Sequence, residues 1–198
     1  MIIIFIMKLS EIATIQSGYL SRERIDSRES GSHFLLQVRD VDAHHLTYRT
    51  DNLIRFNPDI SRSDWLLKAG DILFMARGAR NFSLLLHEIP DVTLAAAYFF
   101  IVRTSSEKVL PGYLCWYLNQ APAELYFRRH SGRGVHMPVV RRSVLEGIDV
   151  PLPPLEVQKK VMGLDAVMRE EEKLLNNLIE KRRKLITASC LKVVRGGH

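Results

Sequence analysis

The stretch Ile148-Asp-Val-Pro-Leu-Pro-Pro154 divides this chain of 198 residues into two parts of different character. Proline has a fixed φ and no backbone N–H, so three prolines within four residues exclude a helix interior and a central strand. From Leu155 to Ser189 the chain has no proline and one glycine, which predicts a single long helix. The sequence therefore predicts a mixed α/β body, residues 1–150, followed by a Pro-rich junction and a long helix, residues 151–198.

The predicted helix carries an apolar seam with the spacing of a coiled coil. Alternating steps of four and three residues from Val157 reach nine positions, of which seven are apolar and two, Glu171 and Arg182, are polar. A seam of this period predicts pairing with another helix, in either a parallel or an antiparallel arrangement. A long helix packed on its own domain is the alternative. The residues predicted to make the pairing contact are Val161, Leu164, Met168, Leu175, Leu178 and Leu185.

The body is predicted to contain short strands and helices. Apolar residues at helical spacing over 8–17 predict a first helix that stops at Gly18. Proline is common at the first position of a helix, so Pro111 is expected to begin another. Strands are predicted over 33–39, 72–76, 82–88 and 93–103, and further helices over 111–120 and 122–129. The expected fold class is α+β, a mixed α/β domain with short strands followed by a long C-terminal coiled-coil-type helix.

The composition is that of a globular protein with a basic excess. Hydrophobic residues make up 46% and charged residues 25%, which argues against disorder and against a membrane bundle. The six apolar residues at the amino terminus are too few for a membrane span, so we expect a cytoplasmic protein, with Met1 and Met7 both open as the start. Lys and Arg exceed Asp and Glu by 28 to 22, a net charge of +6, which indicates a polyanionic partner.

Two arginine-bearing segments are the candidate contacts for that polyanion. No acidic residue lies between Glu124 and Glu146, and the glycines at 132 and 134 allow the backbone to approach a phosphate closely. The second segment follows the predicted strand 72–76; Arg pairs with guanine and Asn with adenine in the major groove, although both are also common structural residues of turns. The residues predicted to contact DNA are Arg77, Arg80, Asn81, Arg128, Arg129, His130, Arg133 and His136.

Short catalytic motifs are absent from the sequence. It has no nucleotide-binding glycine loop, no HExxH, no GxSxG and no (Asn/Asp)-Pro-Pro-aromatic tetrapeptide of amino-methyltransferases. Its two cysteines, Cys115 and Cys190, are far apart and belong to no CxxC pair, which disfavours a disulfide scaffold and a thiolate zinc site. We therefore expect a protein that is not an enzyme, with no catalytic residues, no metal site and no cofactor.

Four segments follow one another in an order typical of a known family: KLSEIATIQSG (8–18), LLQVRDVD (35–42), LKAGDILFMARG (67–78) and GIDVPLPPLEVQKK (147–160). Together they resemble the target recognition domain of the specificity subunits of type I restriction-modification systems. The last segment is similar to the junction of that family from which a spacer helix departs. One departure is Val157, which stands before Gln158 where the family more often has Glu.

The resemblance implies a non-catalytic protein that recognises double-stranded DNA and docks methyltransferase (modification) and restriction (nuclease/translocase) subunits. It also implies that residues 77–81 and 128–136 lie in or near a DNA-facing cleft. A full specificity subunit has two recognition domains and two spacer helices, whereas this chain has one of each. It is therefore similar to a half-subunit that forms a homodimer through its long helix and reads an interrupted palindrome. The alternatives are a protein-interaction scaffold, an orphan or truncated recognition domain without restriction partners, and a fragment of a DNA-modifying enzyme.

Overall fold

The computed structural model describes residues 4–21, 25, 29–59, 63–78, 80–130 and 139–196. They belong to two compact units, Met1–Lys159 and Lys160–His198. The strands are β1 (Phe5–Lys8), β2 (Ala13–Ser17), β3 (His33–Leu36), β4 (Val41–Asp42), β5 (Thr47–Tyr48), β6 (Ile54–Phe56), β7 (Ile72–Met75), β8 (Ser83–Leu85), β9 (Thr93–Ala95), β10 (Phe99–Thr104) and β11 (Asp149–Leu152). The helices are α1 (Leu9–Ile12), α2 (Pro111–Leu118), α3 (Ala121–His130), α4 (Arg142–Glu146) and α5 (Leu155–Val194). This confirms the expected fold class.

The first unit is built on a four-stranded antiparallel sheet in the order β2-β10-β7-β8. Every residue of β7 is buried, because both faces of this central strand are covered. On one face, the ring of Phe74 lies 4.9 Å from the ring of Phe127 in α3. On the other face, Leu73 belongs to an apolar cluster that also contains Leu36 of the second sheet, β6-β3-β9. The two sheets therefore share one core.

A buried ion pair joins the turn before β7 to β10. Asp71 accepts hydrogen bonds from Arg103 at both carboxylate oxygens, with N···O distances of 2.7 and 2.6 Å. The same guanidinium donates to the carbonyl of Leu66 at 3.1 Å, and the backbone N–H of Lys68 donates to Asp71 at 2.9 Å. Hydrogen bonding to Asp71 raises the pKa of Arg103. These bonds compensate the burial of the carboxylate, which would otherwise oppose folding.

The prediction of a helix over 8–17 is wrong beyond the first turn. The helix α1 ends at Ile12, and the next five residues form β2. Ala13 and Ile15 are buried while Thr14 between them is exposed, which is the alternation of a strand. The β-branched side chains of Thr14 and Ile15 also favour extended backbone. Pairing of β2 with β10 over its whole length therefore outweighs the local helical spacing.

Several other predicted elements have different bounds. The strand predicted over 93–103 is two strands, because a turn at Ala97 and Tyr98 separates β9 from β10 and the two belong to different sheets. The strand predicted over 33–39 ends at Leu36, and a 3-10 turn, Val38–Asp40, follows it. The strands predicted at 72–76 and 82–88 and the helices at 111–120 and 122–129 are present as β7, β8, α2 and α3.

The proline-rich junction forms an edge strand. Among the described residues, β11 pairs with β1 alone, and Pro151 stands opposite Ile6 in this antiparallel pair. The hydroxyl of Tyr113 in α2 donates to the carbonyl of Pro151 at 2.7 Å. Burial raises the pKa of Tyr113 to about 12. The junction is thus held to α2, and it lies in neither a helix interior nor a central strand, as its prolines predict.

The first turn of α5 contains a fully buried glutamine. The side-chain oxygen of Gln158 accepts a hydrogen bond from the N–H of Leu110 at 2.9 Å, and its amide nitrogen donates to the carbonyls of Lys108 at 2.8 Å and Pro153 at 2.9 Å. The helix has 40 residues, so at 1.5 Å per residue it is about 60 Å long. No helix in the described part of the chain is long and apolar enough to cross a membrane.

Candidate nucleic-acid interface

Arg77, Gly78, Arg80 and Asn81 follow the C-terminal end of the central strand β7. Arg77 and Arg80 are exposed, and Arg77 forms an isolated antiparallel bridge with Val139. Asn81 differs, because its side-chain nitrogen donates to the carbonyl of Met75 at 2.8 Å. Bidentate pairing with adenine needs both the nitrogen and the oxygen of the amide. The geometry therefore favours Asn81 as the residue that shapes the loop, and Arg77 and Arg80 as the side chains directed to solvent.

Three predicted contacts from the acid-free segment, Arg128, Arg129 and His130, lie in the last turn of α3, where positive side chains oppose the negative end of the helix dipole. Arg128 lies 3.3 Å from a carboxylate oxygen of Glu124. The Nδ1–H of His130 donates to the carbonyl of Tyr126 at 2.8 Å, and the two rings are 4.2 Å apart. Arg129 is exposed and has no ion pair with a described residue. Of these three predicted contacts, Arg129 is the one whose charge is uncompensated within the described chain.

The fold brings the two segments to the same part of the first unit. The helix α3 packs against β7 through the contact of Phe127 with Phe74. His130 follows Phe127 by three residues, and Arg77 follows Phe74 by the same number. The chain between them, residues 131–138, connects the end of α3 to Val139, the bridge partner of Arg77. The predicted contacts Arg133 and His136 lie in that connection, which is outside the described residues.

Positive charge in this region is only partly neutralised. Arg128 pairs with Glu124, and Arg142 pairs with Glu146 at 2.7 Å. Arg side chains without a compensating acid are the ones available to fork onto phosphate oxygens or a guanine edge. Four exposed arginines of the region have no ion pair with any described residue: Arg77, Arg80, Arg129 and Arg141.

A groove along the edge strand β2 is a feature that the sequence did not predict. It is lined by Thr14, Ile15, Gln16, Ser17, Gly18, Leu20, Asp64, Trp65 and Arg142. The side-chain oxygen of Gln16 is buried and has no hydrogen-bond partner among the described residues. The lining comes from three separate segments, so no local motif marks it. The one lining residue that belongs to a segment already noted in the sequence is Arg142, in the stretch without acidic residues between Glu124 and Glu146.

In the second unit, the predicted seam of α5 is half-buried at Val161 and its apolar residues are exposed from Leu164 to Leu185. Leu164 is 73% exposed and Leu185 is 67% exposed. A shallow apolar depression on the same helix is lined by Val167, Glu170, Glu171, Leu174, Leu175 and Leu178. Val167 and Leu174 each precede a seam position, so the apolar stripe is wider than the seam alone. Large apolar side chains at this density on an exposed helix are typical of contact surfaces.

The described residues contain no group of three or more His, Cys, Asp or Glu placed to hold a metal ion. Neither Cys115 nor Cys190 forms a disulfide with a described residue; Cys115 is buried and Cys190 is exposed.

Comparison with solved structures finds the same fold in type I restriction-modification (R-M) proteins. The S subunit of the type I restriction-modification system from M. genitalium superposes with a TM-score of 0.59 at 14% identity, covering 96% of this chain and 46% of that one. A chain from a structure of complex assembly and conformational transition in the type I R-M system gives 0.70 at 17% identity, covering 93% and 43%. The HsdS subunit from Thermoanaerobacter tengcongensis gives 0.60 at 18% identity, covering 84% and 37%.

These likenesses show that the chain has the fold of type I S subunits over most of its length. The chain spans less than half the length of each of these structures. No family model and no curated protein matches the sequence.

Proposed function

We propose that this protein is a non-catalytic, sequence-specific DNA-recognition subunit of a type I restriction-modification system. The observation that carries the proposal is the shared fold together with a group of exposed arginines. These arginines follow the end of β7 or stand at the end of α3, and they have no ion pair with a described residue. Residues 1–150 are the target recognition domain in this proposal, and residues 151–198 are the junction and spacer helix. The protein works on double-stranded DNA in the cytoplasm.

Recognition divides between phosphate contacts and base contacts. Phosphate contacts hold the protein in register on the duplex, and side chains that reach base edges supply specificity. Arg80 is the strongest candidate for a base contact, because it is exposed on a loop whose shape Asn81 maintains. Cleavage and methylation require catalytic groups, which docked modification and restriction subunits supply in this proposal.

Pairing through α5 supplies the second half of the recognition unit. The exposed seam from Leu164 to Leu185 supports a homodimer of half-subunits, in which each body reads one half-site. The apolar stripe extends past the seam to Val167 and Leu174 on one flank and to Ile179 and Ile186 on the other. A stripe this wide is more than a two-helix seam buries, which supports additional docking of partner subunits on the same helix.

The test is selection of duplexes from a random library by the full chain, followed by affinity measurements on the selected sequence. We expect enrichment of one sequence class and a steep loss of affinity with salt. Arg80→Ala is expected to weaken binding to the selected sequence by about 1–3 kcal/mol. Arg49→Ala is the matched control, because Arg49 is an exposed arginine after β5, outside both candidate segments. Equal affinities of wild type and Arg80→Ala remove Arg80 from the interface.

The second candidate is a protein-interaction scaffold, which the exposed apolar face of α5 favours. A scaffold of this kind retains no duplex even at low salt. The same binding experiment therefore separates the two functions, since a DNA-recognition subunit binds mixed-sequence duplex strongly when salt is low.

A further inference from the structure

The segment that follows residues 131–138 brings Arg141 close to Arg77. Val139 is the bridge partner of Arg77, and the N–H of Val140 donates to the carbonyl of Ala76 at 2.9 Å. Val140 is buried whereas Val139 and Arg141 are exposed, which is the alternation of an extended segment. Arg141 itself has extended backbone angles, φ −74° and ψ 153°. Phe99 of β10 stands opposite Met75, so the pairing of this segment with β7 ends at Val140, and Arg141 is the exposed residue two positions beyond the bridge partner of Arg77.

Two residues of extended chain cover about 7 Å, so the position of Arg141 relative to the Arg77–Val139 bridge is within the combined reach of two arginine side chains. Neither Arg77 nor Arg141 has an ion pair with a described residue. The next arginine, Arg142, is different, because its guanidinium is bonded to Glu146 at 2.7 Å. Two neighbouring positive charges with no acid between them repel each other, and an anion placed between them stabilises both.

We infer that Arg77 and Arg141 together bind one phosphate group of the DNA backbone. This rests on the proposed function and adds Arg141, a residue outside the predicted contacts. A phosphodiester offers both of its non-bridging oxygens to guanidinium forks arriving from two sides. A guanine edge, in contrast, is filled by a single guanidinium. The pair therefore positions the protein on the duplex and does not read a base.

The experiment compares Arg77→Ala, Arg141→Ala and the double variant in the full chain, with a fluorescently labelled duplex of mixed sequence. We expect Arg141→Ala to bind roughly five- to tenfold more weakly at low salt. The double variant is expected to lower the slope of log K against log salt by about one, the value for one lost phosphate contact. A decrease of about two means two separate phosphates and overturns the shared site.

Arg142→Ala is the matched control, because it removes the same charge from the adjacent residue while its guanidinium is already held by Glu146. It is expected to bind like the wild type. Equal weakening by Arg141→Ala and Arg142→Ala means a general charge effect and overturns the inference. Both Arg77 and Arg141 are exposed, so thermal unfolding of their variants is expected at the wild-type temperature. If the wild type itself binds no duplex, the proposed function fails first, which is a distinct result.

Discussion

Gln158 joins the first turn of α5 to the chain just before α2 and to the proline-rich junction through one buried amide. Its hydrogen bonds satisfy the N–H of Leu110 and the carbonyls of Lys108 and Pro153. Leucine has a similar volume but makes none of these bonds, and a buried polar group left without a partner costs about 1–3 kcal/mol. We therefore expect Gln158→Leu to lower the free energy of unfolding of the protein by about 3 kcal/mol in urea titrations.

Lys159→Ala is the control for this change. The ammonium of Lys159 is exposed and lies 2.8 Å from an oxygen of the exposed Glu156. Such surface pairs contribute about 0–1 kcal/mol, so this variant is expected to be nearly as stable as the wild type. Equal stabilities of Gln158→Leu and Lys159→Ala contradict the anchoring role.

Asn81 shows where the sequence was insufficient at the level of single residues. The dipeptide Arg80-Asn81 after a strand is compatible with base contacts, and the sequence alone does not tell which amide atoms are already bonded. The bond from Asn81 to the carbonyl of Met75 joins the loop to the last residue of β7, six residues back along the chain. Gln158 was visible as part of the junction motif, but its burial depends on Lys108 and Leu110, which are about fifty residues away in sequence.

Asn81→Ala is accordingly expected to act on the loop as a whole. Losing the bond to Met75 costs about 1 kcal/mol of stability and loosens the backbone that carries Arg80. We expect weaker binding to the selected sequence, because Arg80 is held less firmly, while the selection still returns the same preferred sequence. Repeating the library selection with this variant checks the expectation. A changed base preference at one position, with wild-type stability, identifies Asn81 as a base-reading residue instead.

Whether a helix or strand can be predicted from the sequence depends on how many residues separate it from the partners that stabilise it. The helix α5 was predicted almost to its ends, because no proline interrupts it and its apolar period is sustained over many turns. The segment 8–17 was not, because its helical spacing competes with pairing to β10, which lies about ninety residues away. The groove beside β2 shares this property, since Arg142 and Trp65 reach it from distant parts of the chain. Local patterns thus predict α5 and fail where sheet pairing decides.

The seam of α5 gives a direct test at the same scale. Leu175→Glu with Leu178→Glu puts two charges on the exposed seam, where burial against a second helix is proposed. Burying unpaired carboxylates is strongly unfavourable, so we expect this double variant to be monomeric by light scattering where the wild type is dimeric. Asn176→Glu with Thr187→Glu adds the same charge to positions off the seam and is expected to stay dimeric. A dimeric Leu175→Glu/Leu178→Glu variant contradicts pairing through this seam.

For the whole molecule, the proposed pairing of two copies has a consequence for the DNA sequence that such a dimer would read. A two-fold dimer presents identical recognition surfaces in inverted orientation, so its target consists of two inverted copies of one half-site. We expect library selection with the wild type to return such pairs with a constant gap, because α5 is a single uninterrupted helix in each copy. The Leu175→Glu/Leu178→Glu variant is expected to select single half-sites with lower affinity, whereas Asn176→Glu/Thr187→Glu retains the pairs. Selection of unpaired half-sites by a wild-type protein that is dimeric in light scattering contradicts the two-fold arrangement on DNA while leaving the recognition of each half-site intact.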